Sequence, residues 1–267
     1  MVVFRKNILL PFFVIVFIIL AAIFEPIVGL LVIPLYFGIF IFFYFKRPKF
    51  ISSSKYWKKI FKQKKYIQNV LITFALLLLA YFINYKIGLY VESTQGPALG
   101  DIVLDNLPPI DISFILLYVS RIVMNGVPIF IMFMRPTKAT FSFKALAFLM
   151  ILRSISLTLT ELGLPEGRIP DEMMLGNVEI INFTKDLFFS GHVAYPFLGF
   201  LLLRKDKIVS YLLLASSIFM SFAVLAMHLH YTIDVVAAFF FTYGLYKMTA
   251  YVFKKDYALH TYSANLK

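Results

Sequence analysis

Long apolar runs separated by short polar connections set the pattern of this chain. Runs of about 17–25 residues, the length that crosses a bilayer core as a helix, lie at 7–24, 27–45, 67–85, 112–134, 142–162, 187–203, 208–227 and 231–253. Only Glu25 and Pro26 separate the first two, which form either a tight two-span hairpin or a partly re-entrant pair. The pattern predicts an all-α fold, a polytopic membrane helix bundle. It divides into an N-terminal two-span segment with a basic loop (1–66), a six-span membrane domain (67–253) and a tail (254–267). A cleaved signal peptide does not fit, because the apolar run after Arg5 and Lys6 continues past Glu25 without a small-residue cleavage site.

Composition agrees. Apolar residues make up 61% of the 267 and charged residues 15%, against about 45–50% and 25% in soluble domains. So much apolar surface exceeds what one core can hide from water, and the remainder must face lipid. The chain has no cysteine, which excludes disulfide frameworks, thiolate nucleophiles and Cys-based zinc or iron–sulfur sites.

A net charge of +12 in a soluble protein suggests nucleic-acid binding. In a membrane protein the distribution of Lys and Arg decides the topology instead. With the N-terminus in the cytoplasm, loop 46–66 carries nine basic residues, and Arg135, Lys138, Arg204, Lys205, Lys207, Lys254 and Lys255 all fall on the same inner side. Of the 14 acidic residues only Asp206 and Asp256 join them. The basic segment 46–66 is therefore read as a juxtamembrane cluster that fixes topology and attracts anionic lipid, with no nucleic-acid partner. Both termini are expected in the cytoplasm. Two longer, acidic outer connections, 86–111 and 163–186, have the length of loops that cover a site.

The chemistry has few candidates. Of four histidines, His192, His228 and His230 lie at outer ends of predicted spans, in Phe189-Ser190-Gly191-His192 and in the stretch from His228 to Asp234. His230 and Asp234 are spaced i, i+4, on one face of a helix. A carboxylate there can fix the imidazole tautomer and activate its other nitrogen as a nucleophile. The same spacing also serves as a plain helix-stabilising contact. Ionisable groups at the membrane edge favour the functional reading, as does the second histidine on the same side.

These stretches resemble the lipid phosphatase/phosphotransferase (PAP2) superfamily, and within it the sphingomyelin synthase branch. Leu107 to Asp111 is similar to that branch's Pro-rich segment ending in Asp. Arg153 to Thr158 with Leu164-Pro165 resembles its Arg…Thr…Leu-Pro motif, Asp186 to His192 its Ser-Gly-His motif, and His228 to Val236 its His-Tyr-Thr motif. The departures are equally specific. Ordinary phosphatases of the superfamily have a KxxxxxxRP motif, a PSGH motif and an Arg six residues before the final His. Here no KxxxxxxRP precedes the Ser-Gly-His, Phe189 replaces the Pro, and Val224 stands where the Arg would be. Lys185 and Leu229 depart from the synthase branch, which has Gly and Asp there.

The resemblance implies a six-helix lipid phosphatase/phosphotransferase-like core, no cofactor and no metal, with a catalytic triad of His192, His230 and Asp234. In that scheme His230 attacks the phosphorus of a phospholipid headgroup, Asp234 orients it, and His192 protonates the leaving diacylglycerol. A lipid alcohol then takes the headgroup from a phosphohistidine. Substrate-binding candidates are Arg153, Ser190, Gly191, Asp186, Asp111 and Arg121. Arg153 is either a phosphate clamp or an interfacial, snorkelling arginine. Arg121, mid-span near Asn125, either meets substrate or forms a buried structural pair. Asp186 binds a cationic headgroup or orients His192, and Asp111 and Glu161 are further outer-face carboxylates. His228 is expected either to support the catalytic groups from behind or to be structural, and His260 to have no role in the site. Three functions follow: a headgroup phosphotransferase, a phosphatase or phospholipase C-type hydrolase with the same triad, or a non-enzymatic scaffold or transporter.

Overall fold

The computed structural model describes residues 60, 62–94, 96–112, 135–170 and 183–261. The runs 7–24 and 27–45, and nearly all of 112–134 with Arg121 and Asn125, lie outside these residues. Those described form six α-helices and one short 3-10 turn, with no strand among them. We label the helices α1 (Lys64–Ser93), α2 (Pro136–Leu159), α3 (Gly191–Leu202), α4 (Lys207–Ala226), α5 (Thr232–Val252) and α6 (Lys254–Thr261).

Four of them, α1, α2, α4 and α5, are long and apolar enough to cross a membrane. The chain is a helical integral membrane protein, as the apolar runs predict. Helix α1 buries a narrow stripe, Tyr66, Thr73, Ala80 and Val91, near a seven-residue repeat. That stripe packs along α2. Leu71, Ile72, Phe74, Leu78 and Phe82 on its other faces are exposed, as lipid-facing residues are. Helix α2 starts with Pro136 in its first turn, where a missing N–H costs nothing. It buries Phe141, Ala145 and Leu149 together with a polar row, Thr140, Lys144, Arg153 and Ser154. Helices α3 and α4 form a tight antiparallel pair, and α5 lies against α3 and α2. The shared core includes Phe189, Val193, Leu198, Leu213, Met220, Val224 and Leu245.

Two elements differ from the sequence expectation. The run 187–203 becomes helix only at Gly191, so α3 has 12 residues and rises about 18 Å, less than a bilayer core. Leu187 and Phe189 are buried ahead of it in non-helical backbone, which puts Ser190 and His192 at the helix start. The second difference is in the tail, where 254–261 forms helix α6. Its Asp256 accepts from Lys144 Nζ (2.8 Å) and Asn69 Nδ2 (2.5 Å), and His260 Nε2 lies 2.8 Å from the Leu202 carbonyl. Those partners are distant in sequence, so local composition does not show that the tail is docked.

Candidate active site

The site forms where α4 turns into α5. Helix α4 ends in a Schellman motif: His228 N–H donates to Leu225 O at 3.0 Å and Leu229 N–H to Val224 O at 2.8 Å. The left-handed position usually held by glycine is His228, with φ 53°. A non-glycine residue there costs on the order of 1–2 kcal/mol. Its ring offsets that by bridging two loops, Nδ1 lying 2.6 Å from Glu166 O and Nε2 2.9 Å from Leu107 O. The structural role expected of His228 thus has a geometric basis.

Two residues later the chain presents His230, buried, one residue ahead of the N-cap Tyr231. Asp234 sits in the first turn of α5, fully buried. Its Oδ2 accepts from Tyr231 N–H at 3.0 Å and lies 3.4 Å from His230 Nδ1. The carboxylate therefore caps the helix and faces the imidazole at once. A 3.4 Å contact is longer than an ideal hydrogen bond; catalytic bonds of this kind tighten when substrate is bound. The other oxygen, Oδ1, is buried without a partner among the described residues.

Helix α3 brings the second histidine. Ser190 N–H donates to the Asp234 carbonyl at 3.2 Å, tying the start of α3 to the first turn of α5. The rings of His192 and His230 consequently meet edge to face, centroids 5.9 Å apart. One phosphorus atom between them can be attacked by one ring while its leaving oxygen takes a proton from the other.

Arg153 arrives from the C-terminal third of α2 and is only 3% exposed. Its Nε donates to Phe189 O at 2.9 Å and its Nη2 to Asp186 Oδ1 at 2.8 Å, while Tyr195 and Phe189 offer their ring faces. A β-carbon built on Gly191 would stand 3.0 Å from the Arg153 guanidinium carbon, so the cation lies directly against the first turn of α3. Of the two sequence readings of Arg153, snorkelling is excluded by this burial and pairing. Asp186 is engaged by Arg153, which neither sequence reading of that residue included.

Two helix N-termini meet here, and their chemistry differs. That of α5 is filled by carboxylates: Tyr231 N–H goes to Asp234, and Thr232 N–H and Oγ1 go to Asp101. That of α3 has no side-chain cap, while Ser190 Oγ is buried without a partner among the described residues. First-turn N–H groups, a serine hydroxyl and a guanidinium converge there, the donor set that favours an anion. Val224, at the position of the missing phosphatase arginine, is completely buried in the apolar core. The cation at this site comes instead from α2.

Sequence reading missed Asp101 and Tyr231. Burial raises the Asp101 pKa, but donors from Thr232, Val103 and Leu104 outweigh it and hold the carboxyl below its ordinary range. The Tyr231 hydroxyl donates to Gly163 O at 2.9 Å and accepts from Leu99 N–H at 3.0 Å, stitching the loops that follow α1 and α2 to the turn. The available signal was an acid following Gly96, Pro97 and Gly100, a turn-rich stretch suited to capping a distant helix. Asp111 is exposed, although Ile110 beside it donates to Ala226 O at 2.8 Å. Beside the turn opens a cavity of about 740 Å³, lined among others by Leu99, Leu104, Pro109, Glu166, His228 and Tyr231. Among the described residues no three His, Asp or Glu side chains group as a metal site.

The fold and site define a class: a helical membrane protein with two facing histidines, one oriented by a helix-capping aspartate, beside a buried arginine. Residues 185–251 match the family model described as PAP2 superfamily C-terminal. That stretch holds His192, His230 and Asp234, and the match supports an enzyme of the lipid phosphatase/phosphotransferase type. Arg153 and Asp101 lie outside it. No curated protein and no solved structure matches the chain.

Proposed function

We propose that this protein is a membrane phosphotransferase that moves a phospho-headgroup from a phospholipid to a lipid alcohol through a phosphohistidine on His230. The observation that carries the reading is the convergence of four side chains. The His192 and His230 rings are 5.9 Å apart, Asp234 lies behind His230, and Arg153 lies against the uncapped start of α3.

In the first half-reaction the free nitrogen of His230 bonds to phosphorus, and the bond from phosphorus to the diacylglycerol oxygen breaks. That oxygen takes the proton of His192. Asp234 accepts from Nδ1 and offsets the positive charge on the phosphorylated imidazole. Arg153, Ser190 and the first-turn N–H groups of α3 hold the non-bridging oxygens, where phosphoryl transfer needs positive charge. In the second half-reaction the acceptor hydroxyl gives its proton to His192 and bonds to phosphorus, and the nitrogen–phosphorus bond breaks. The residues return to their starting states.

A transferred phosphodiester headgroup carries less charge than a phosphate monoester. One arginine in place of the several cations of the phosphatases fits that smaller demand. The Lys and Arg asymmetry supports a site on the extracytoplasmic side. His230 and Asp234 stand at the start of α5, and Lys254 and Lys255 follow its other end.

The test is purified protein in mixed lipid vesicles with a headgroup-labelled phospholipid. Label should appear on an added lipid alcohol and transiently on protein, and His230→Ala should remove both. Release to water alone makes the protein a hydrolase. Absence of label on protein and lipid would support the scaffold or transporter reading.

A further inference from the structure

We infer that Asp101 is a positioning residue for the nucleophile, acting from a separate loop by capping the helix that follows His230; its effect on catalysis rests on the function proposed above. Both carboxylate oxygens of Asp101 are engaged. Oδ2 accepts from Thr232 N–H (2.5 Å), and Oδ1 accepts from Thr232 Oγ1 (2.8 Å), Val103 N–H (2.9 Å) and Leu104 N–H (3.3 Å). Thr232 is the first residue of α5, 131 positions away. A negative charge at a helix N-terminus also meets the positive end of the helix dipole.

Its neighbour in the cap is Asp234. Asp234 takes Tyr231 N–H and Asp101 takes Thr232 N–H, so the two backbone units after His230 are each held by a carboxylate. The two acids have separate duties: Asp234 faces the His230 ring, whereas Asp101 holds the backbone from which that ring projects.

The loop that carries Asp101 is itself immobilised. Gly163 N–H donates to Pro97 O at 2.9 Å, and a β-carbon on Gly96 would stand 2.0 Å from the Glu161 carbonyl oxygen. Two backbones thus touch there without intervening side chains. Leu99 N–H and Gly163 O meet on the Tyr231 hydroxyl. Asp101 is therefore a fixed point against which the turn bearing His230 is registered, and catalysis is sensitive to misplacement on the scale of 1 Å.

The experiment compares Asp101→Ala, Asp101→Asn and a destabilising control at the opposite end of the molecule, Asn69→Ala, in the full chain in lipid nanodiscs. Two readouts are used: headgroup transfer per folded molecule, and side-chain nitrogen resonances of the four histidines in isotope-labelled protein. Asp101→Ala should lower kcat about 10–100-fold with KM for the donor within about threefold, and should shift or broaden the His230 resonances. Asp101→Asn, which keeps an acceptor for Thr232 N–H, should recover most of both. Asn69→Ala should lower thermal stability without moving either. An unchanged His230 signal in Asp101→Ala would overturn the assignment, as would a loss seen in KM alone. If the unaltered protein transfers no headgroup, the proposed reaction fails, and the resonances still decide the positioning.

Discussion

The guanidinium of Arg153 lies so close against Gly191 that a β-carbon built there would stand 3.0–3.2 Å from three guanidinium atoms, tighter than ordinary van der Waals contact. Gly191→Ala should therefore separate stability from activity. Alanine is a better helix former than glycine by about 1 kcal/mol, so thermal stability should hold or rise. The cation must retreat by a few tenths of an ångström, and kcat should fall about tenfold or more. Thermal unfolding and transfer rates measured on the same preparation check both.

Arg153→Lys should behave as a severe loss. The guanidinium donates in two fixed directions, to Phe189 O and to Asp186, while lying between two aromatic rings. A lysine ammonium on a flexible stem cannot reproduce that fork. Removal of a positioned charge donor typically costs about 10²–10³-fold in kcat, and a loss below threefold would contradict the phosphate-clamp role. Asp186→Asn should show a smaller loss, since the Phe189 carbonyl still holds Nε.

His192→Gln should slow the two half-reactions unequally when the donor is changed. A natural diacylglycerol leaving group needs a proton, whereas a nitrophenolate leaving group does not. With a nitrophenyl phosphodiester donor the first half-reaction should survive, and the second, which still needs a base, should stall. Phosphohistidine should then accumulate and be visible by acid-labile labelling. Failure of label to build up would place the proton transfers elsewhere.

Acid should loosen α6. Burial, followed by the nearby Lys138 charge, pushes the His260 pKa down from 6.5 to about 4, so the folded state holds the ring neutral. The unfolded segment binds a proton as pH falls below 6.5 and the docked one does not, so stability drops across pH 6.5 to about 4. Below that both forms are protonated and the loss levels off, at roughly 3 kcal/mol. Hydrogen-exchange protection of residues 254–261, corrected for the intrinsic rate at each pH, should fall between about pH 7 and 4.5, and His260→Phe should flatten that dependence.

Helix positions were legible because they depend on neighbours three and four residues apart. The apolar runs at 142–162, 208–227 and 231–253 correspond to α2, α4 and α5. The His230 and Asp234 side chains meet as their spacing anticipates, but His230 precedes α5 and reaches Asp234 from non-helical backbone, not from a shared helix face. Ser190, Gly191 and His192 stood out because a polar cluster interrupts an apolar run. These features are local, and one-dimensional order carries them.

The partners of those residues were decided only in three dimensions. Arg153 reaches Asp186 across 33 positions, His228 reaches Leu107 across 121, and Thr232 reaches Asp101 across 131. Nothing in local periodicity distinguishes a buried, paired arginine from one that snorkels, or an acid that caps a distant helix from one that faces water. By itself the sequence determined a membrane helix bundle and singled out the histidines proposed to carry the chemistry. Tertiary packing chose which charges attend them, because a charge is retained in a water-poor interior only where partners from other segments converge on it.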